Sequence, residues 1–427
     1  MMRFSELLNR RYKLFLLLCI LCMILLDLVV ILARPLDLTE GGSSTWWMIT
    51  KNLENGNGYK ACDEAYVPNC MLTDQTTAIR EPLPVLIYAL LGTMTNNAPP
   101  AFQLTQLAFN LLICWLVFLL TQELGGRALG VIAALAWSVF LPTLRMEAHI
   151  SGDLIAGSLV AAGTLFLVRA VKHGGLGQWI GFGFMFGLAV LSRSSALLIA
   201  FALFLGTLIF LWAQKKRFEK QWMIGLIVSG LALGLTVSPW VIRNQIAFGK
   251  PILGTTLVGY NLYRHNAIVM KEVFPHYVGS DEGYREIEAL VARIPELQTP
   301  INEARVDAIF RREALRVISA NRGEYLELVL FRFFPLWFNV GVLEQYGQEM
   351  LVLDYFVIAQ QALLLVAFLI ALWKGNWFLR MLALSVPFFM LGYMAIDSQL
   401  RYMIPAMPLV VSVSVIGVSS FFTRRPQ

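Results

Sequence analysis

The chain has 427 residues, of which 57% are hydrophobic and only 15% charged, with a mean hydropathy of +0.64. A soluble domain carries about a quarter charged residues, so the composition excludes an ordinary soluble protein and puts the chain in a lipid bilayer. The net charge of +6 does not point to nucleic acid, because Lys and Arg sit mostly in short loops between apolar runs, as cytoplasmic loops of membrane proteins do.

The N-terminus is basic from Arg3 through Lys13 and runs into an apolar segment, Leu14 to Ala33. That segment exceeds the ~7–15 residues of a signal-peptide core, and no small-x-small cleavage site follows it. An uncleaved first span with a cytoplasmic N-terminus is expected. Asp27 inside it is costly in lipid and should face the bundle. Residues 34–100 then form a first outer loop. Within it, Thr45–Leu53 has an apolar stripe with two Trp, and Leu83–Met94 is too short to span at ~1.5 Å per residue. Both suit helices lying in the membrane interface. Cys62 and Cys70 lie in this loop. On an extracytoplasmic face they suit a disulfide, with two free thiols as the alternative. Cys19, Cys22 and Cys114 lie in apolar runs and read as packing residues.

Further spans are expected at Ala101–Leu120, Leu129–Leu144, Leu154–Val171, Trp179–Leu191, Ala196–Trp212, Trp222–Val241, Leu351–Trp373, Leu379–Ile396 and Met403–Phe422, giving about ten in all. The basic loop Gln214–Lys220 marks the cytoplasmic side. Alternation from it puts 34–100, 145–152, 192–195, the long polar region 248–326 and 397–401 outside, and the tail Arg424-Arg425 inside. The aromatic run Phe331–Phe338, interrupted by Arg332 and Pro335, reads as interfacial, and Glu303–Ile318 as an outer helix. The expected organisation is an N-terminal bundle, 1–244, an extracytoplasmic region with interfacial helices, 245–350, and C-terminal membrane helices, 351–427.

Polar residues suited to chemistry collect on the outer side. Arg145–Asp153 is dense in them and includes Glu147 and His149. Asp153 follows a Gly at a span start, where a carboxylate either serves the helix N-terminus or holds an acceptor or a metal. Arg80-Glu81-Pro82-Leu83-Pro84 heads the second interfacial helix, with Pro favourable at a helix start. Arg80 heads that helix and Arg193, Arg243 and Arg401 lie at outer span ends, and a planar guanidinium binds phosphate oxygens in pairs. Several around one cavity would stabilise a phosphate leaving group.

Five stretches, in order, resemble the GT-C glycosyltransferase superfamily, in the branch that includes protein O-mannosyltransferases and lipid A aminoarabinose transferases. They are Thr50–Tyr59 with its Gly-Asn-Gly-Tyr, Thr77–Pro84 with Arg-Glu-Pro-Leu-Pro, Leu191-Ser192-Arg193, Pro239-Trp240-Val241-Ile242-Arg243-Asn244 with the later Gly259-Tyr260-Asn261, and Arg401-Tyr402-Met403-Ile404-Pro405. The resemblance implies an all-α integral membrane protein: a GT-C-type bundle of about ten transmembrane helices with interfacial helices and extracytoplasmic loops.

It also implies a glycosyltransferase moving a hexose or pentose from a polyprenyl-phosphate donor, with inversion, to a glycan, lipid or protein acceptor. The site would face outward from a bacterial plasma membrane with both termini cytoplasmic. Arg80, Arg193, Arg243 and Arg401 would hold the donor phosphate. His149, Asn244, Asn261 and Tyr263 would contact substrate, and Glu40 and Asp153 would be the catalytic acids. The family places an Asp where this chain has Gly42, and Glu40 is the nearest acid to take its part. That departure leaves a non-catalytic relative as one alternative; a lipid or sugar flippase is the other, against which stand the large outer loops and the lack of internal repeats. No protein cofactor is implied, and a divalent metal ion is left open by the acidic residues.

Overall fold

A computed structural model describes residues 2–33, 36–38, 43–148, 150–213, 220–270, 281–339 and 352–422. Among these residues the protein is helical, with a single isolated backbone bridge between Lys60 and Thr76 in place of any strand. This is what a bilayer demands, since a helix satisfies its own backbone polar groups.

The first half comprises α1 (Met2–Arg10), α2 (Tyr12–Ala33), α3 (Ser44–Glu54), α4 (Pro82–Thr95), α5 (Pro99–Gly125), α6 (Arg127–Ser138), α7 (Asp153–His173), α8 (Leu176–Ser192), α9 (Ala196–Ala213) and α10 (Lys220–Phe248). An outer unit follows, with α11 (Val258–Asn266), α12 (Asp281–Arg293), α13 (Glu303–Ala320), α14 (Arg322–Phe331) and α15 (Phe333–Phe338). The chain then returns to apolar helices in α16 (Val352–Lys374), α17 (Trp377–Met394) and α18 (Met407–Phe422).

Among the described residues seven helices, α2, α5, α7, α9, α10, α16 and α17, are long and apolar enough to cross a membrane, and α4, α6, α8 and α18 are shorter apolar helices. All but α4, which falls on the expected interfacial helix 83–94, coincide with the ten expected segments. The protein is an integral membrane protein of all-α architecture. The expected span 129–144 needs correction: α6 stops at Ser138 and the apolar run continues as a 3-10 turn, Leu141–Ala148. Pro142 has no N–H to donate and disfavours helix in the residue before it, so composition persists while the helix does not. The run 331–338 also differs from a plain interfacial segment. It is split at Arg332, which is fully buried and donates to the carbonyls of His265 (2.5 Å) and Met394 (3.0 Å) and to Asn266 Oδ1 (3.0 Å).

In the bundle, α7 packs between α5 and α8, α8 against α10, α9 against α17, and α16 against α18. Asp27 is buried in α2 and accepts from Asn110 Nδ2 at 3.1 Å, while Asn110 Oδ1 accepts from the Trp137 indole at 3.0 Å. The intramembrane acid thus faces the bundle, as its desolvation cost requires. In the outer unit, α11 lies on α13, and Tyr260, Tyr263 and Phe310 form a core with Val67, Cys70 and Ile79 of the first loop. Cys62 and Cys70 are joined in a disulfide beside this core.

Candidate functional site

Four separate connections meet around a cavity of about 320 Å³. Glu81 comes from the head of α4, Arg193, Ser194 and Ser195 from the turn between α8 and α9, Thr255 to Asn261 from the approach to α11, and Tyr393, Asp397 and Tyr402 from the end of α17 and the turn after it. Gly152 lets three of the surrounding elements close up. A Cβ there would run into the Ser192 carbonyl and the Pro84 ring, so the start of α7, the end of α8 and the head of α4 can touch only over a glycine.

Asp153 is the first residue of α7, where the helix dipole favours negative charge. It is buried, and its Oδ1 receives both Nε and Nη2 of Arg193 at 2.5 Å. Its Oδ2 has no hydrogen-bond partner among the described residues. Burial alone would favour a neutral Arg193, but the Asp153 carboxylate beside it holds its pKa above the ordinary arginine range. The guanidinium is therefore a fixed cation at the cavity wall. It lies 5.5 Å from the ring centre of Tyr402, and Arg401 lies 5.2 Å from the same ring. Tyr402 stacks on Tyr393 at 4.9 Å, and the Tyr393 hydroxyl shares a 2.8 Å hydrogen bond with Ser195 Oγ. Two cations are thus arrayed about one aromatic pair, a geometry that favours charge retention.

The opposite charge comes from Glu81 and Asp397. Glu81 occupies the N-cap of α4 without capping it. Its Oε1 instead accepts from the backbone N–H of Ser194 at 2.9 Å and from the Ser194 hydroxyl at 3.0 Å. Asp397 accepts from the Tyr402 hydroxyl at 2.8 Å and the Ser398 N–H at 2.7 Å, and lies 3.3 Å from His265 Nε2. Burial pushes the His265 imidazole down to about 3 despite the opposing pull of Asp397, so the ring is neutral. A polar strut therefore runs from Arg332 and α11 through His265 and Asp397 to Tyr402.

The other expected site residues have different places. Arg243 donates to the carbonyls of Thr77 (2.8 Å) and Tyr59 (3.1 Å) and to Asn244 Oδ1 (2.8 Å), enclosed by the rings of Tyr59, Trp240 and Phe248. Asn244 in turn donates to the Ile252 carbonyl at 2.9 Å. Both residues tie the end of α10 to the first loop and to the turn after Gly249, away from the cavity lining. Arg80 lies over the rings of Trp46 and Tyr66, each at 5.6 Å, and 3.4 Å from Thr45 Oγ1, so it faces α3 and the first loop. Tyr263 is core of the outer unit against Phe310. Asn261 lines the cavity with Arg193. Glu40, Gly42 and His149 lie outside the described residues.

Glu81, Tyr393, Asp397, Tyr402 and His265 were not among the expected site residues. Glu81 and Tyr402 sit inside motifs that were singled out for their arginines, so their signal was present in the sequence. Asp397 is an acid at an outer span end, while His265 has no such signal and only the fold brings the two together. As to a metal, the one set of His, Cys or acidic side chains among the described residues with ligand-like spacing is Cys62, Glu64 and Cys70, and its sulfurs are joined in the disulfide. Around the cavity, Glu81, Asp153 and Asp397 each answer a protein donor of their own. Asp153 Oδ2 and Glu81 Oε2 are left without a hydrogen-bond partner among the described residues.

Against known proteins, residues 80–242 match the family model described as dolichyl-phosphate-mannose-protein mannosyltransferase. A search of curated protein sequences found no match. Among solved structures, the oligosaccharyltransferase AglB from Archaeoglobus fulgidus, in complex with an inhibitory peptide and a dolichol-phosphate, superposes with a TM-score of 0.58 at 15% identity over 97% of this chain and 51% of that one. The apo form of the Archaeoglobus fulgidus oligosaccharyltransferase gives 0.55 at 16% identity, over 95% and 50%. ArnT from Cupriavidus metallidurans bound to undecaprenyl phosphate gives 0.45 at 11% identity, over 95% and 77%. The chain thus spans about half the length of the oligosaccharyltransferases it matches. At these identities the likeness is one of fold.

Proposed function

We propose that this chain, which has the fold of the GT-C glycosyltransferase superfamily, transfers a sugar from a polyprenyl-phosphate donor to an acceptor on the extracytoplasmic side of the membrane. The observation that carries the proposal is Arg193 in the wall of a cavity of about 320 Å³, beside the Tyr402 ring on which Arg401 also lies from outside the lining. A cavity of that size lies at the small end of the ~300–1,000 Å³ usual for ligand sites, room suited to a sugar and a phosphate rather than a large glycan. The complex of the archaeal relative with a dolichol-phosphate supports a lipid phosphate as the ligand class.

The chemistry follows from the charges. When the glycosidic bond to phosphate breaks, negative charge gathers on the phosphate oxygens. Arg193 is already fixed by Asp153, so it meets that charge without reorganising, which is where electrostatic catalysis has its leverage. Asp153 thereby acts by holding Arg193. Arg401 is exposed and closes on the phosphate from the rim. The acceptor hydroxyl attacks the anomeric carbon from the face opposite the phosphate, which inverts the centre in one displacement.

The test is turnover of a panel of polyprenyl-phosphate-linked monosaccharides by the protein in proteoliposomes, read as release of polyprenyl phosphate. The wild type should turn over at least one donor, and Arg193→Gln should lower kcat/KM for it by about 10²–10³-fold, as loss of one preorganised donor does. A wild type that turns over no donor of the panel would overturn the reading.

A further inference from the structure

A displacement of this kind needs a group to take the proton of the attacking hydroxyl. Three carboxylates among the described residues reach the cavity or the side chains that wall it. Asp153 lies behind Arg193, with one oxygen engaged by that guanidinium at 2.5 Å. Asp153 is not part of the cavity lining itself. Asp397 has its oxygens on the Tyr402 hydroxyl and the Ser398 N–H, with His265 close by. Glu81 differs from Asp397 in having one oxygen, Oε2, without a partner among the described residues, as Asp153 Oδ2 also is. It differs from Asp153 in that its other oxygen is held by Ser194 rather than by a cation, and in that it lines the cavity itself.

The arrangement is not what a helix start would produce by itself. An acid at an N-cap ordinarily turns back to the N–H groups of its own helix; Glu81 makes no such bond and is drawn across to Ser194. That residue follows Arg193 directly. One turn therefore presents the cation for the leaving phosphate and, one residue later, the two donors that aim Glu81. A base oriented by fixed hydrogen bonds through one oxygen keeps the other free for a proton.

We propose that Glu81 is the acid–base residue of the transfer; this rests on the glycosyl-transfer reading above. As the acceptor oxygen bonds to the anomeric carbon, its proton passes to Glu81 Oε2. The electron pair of the breaking carbon–oxygen bond leaves with the phosphate, which departs as polyprenyl phosphate beside Arg193. Glu81 then returns its proton to water.

The test uses the full chain in proteoliposomes with the donor that the wild type turns over. Glu81→Gln keeps a carbonyl oxygen for both Ser194 bonds and removes only the base. Transfer to hydroxyl acceptors, water included, should fall by ~10²-fold or more, with KM for the donor within about threefold of wild type. Sodium azide, an anionic acceptor that needs no deprotonation, should restore donor turnover in Glu81→Gln, an outcome that a merely structural role would not give. A Glu81→Gln protein with wild-type kcat would overturn the proposal and leave the transfer reading standing. So would equal loss of azide and hydroxyl turnover, or an azide-rescued loss found in Glu40→Gln in place of Glu81→Gln. A wild type inert towards the whole panel would overturn the transfer reading, and the assignment of Glu81 with it.

Discussion

Glu303 stands out at the scale of single residues. It is buried at the start of α13, where its carboxylate accepts from the Thr77 hydroxyl at 2.7 Å, the Ala78 N–H at 2.7 Å and the Thr256 hydroxyl. One side chain so joins the first loop, the approach to α11 and α13. Burial outweighs those donors and lifts its pKa from 4.5 to about 7. Burial raises Asp307, one turn later, in the same direction. A raised carboxyl pKa means the folded protein holds a proton that the unfolded chain has already released, so stability falls as pH rises between 4.5 and about 7 and levels off above that. The outer unit should therefore resist heating and proteolysis better at pH 5 than at pH 8. Glu303→Gln should flatten most of that difference; an unchanged pH dependence would refute the assignment. The nearby Arg243 shows why a motif can be read and its role misplaced. Pro239–Asn244 was legible as a marker of the fold, but sequence does not show that the Arg243 donors go to the carbonyls of Thr77 and Tyr59.

Helices were the most legible elements, because an apolar run of fixed length has few other solutions in a bilayer. Thr45–Leu53 became α3, and the expected outer helix 303–318 became α13, started by Asn302, whose side chain accepts from the Arg305 N–H at 2.9 Å. Hydropathy cannot see where a helix ends inside an apolar run, so the stop at Ser138 was missed. Close approach is also invisible to it. A Cβ on Gly259 would strike the backbone of α13 at Asp307 and Arg311, and the Gly259 N–H is bonded to the Asp307 carboxylate at 2.5 Å. Gly259→Ala should force α11 off α13 at a cost of about 1–3 kcal/mol. Because Asn261 on α11 lines the cavity, donor KM should rise along with the loss of stability. The same substitution at Gly323, whose surroundings are open, should leave both within error. Equal effects at the two glycines would remove the argument from helix approach.

For the molecule as a whole, the candidate site is built from connections far apart in sequence, and that is why it was only half legible. Arg193 and Asn261 could be picked as polar residues at span ends, while the strut from Arg332 through His265 to Asp397 exists only once the outer unit is seated on the bundle. The sequence also carries a proposal about sidedness. The cavity is walled by the α8–α9 turn, the head of α4, the start of α11 and the end of α17, and alternation of spans from the basic loop 214–220 assigns all four to one face. Basic loops are retained on the cytoplasmic side, and a disulfide such as Cys62–Cys70 persists in an oxidising compartment; the two arguments are independent and agree. In a background without Cys19, Cys22 and Cys114, a cysteine at Glu288, which is exposed on α12, should react with a membrane-impermeant maleimide in intact cells. A cysteine at Lys216 should react only after permeabilisation. The reverse pattern would place the cavity on the cytoplasmic side, where the acceptors would be of another kind and the Cys62–Cys70 pair would be expected to stand reduced.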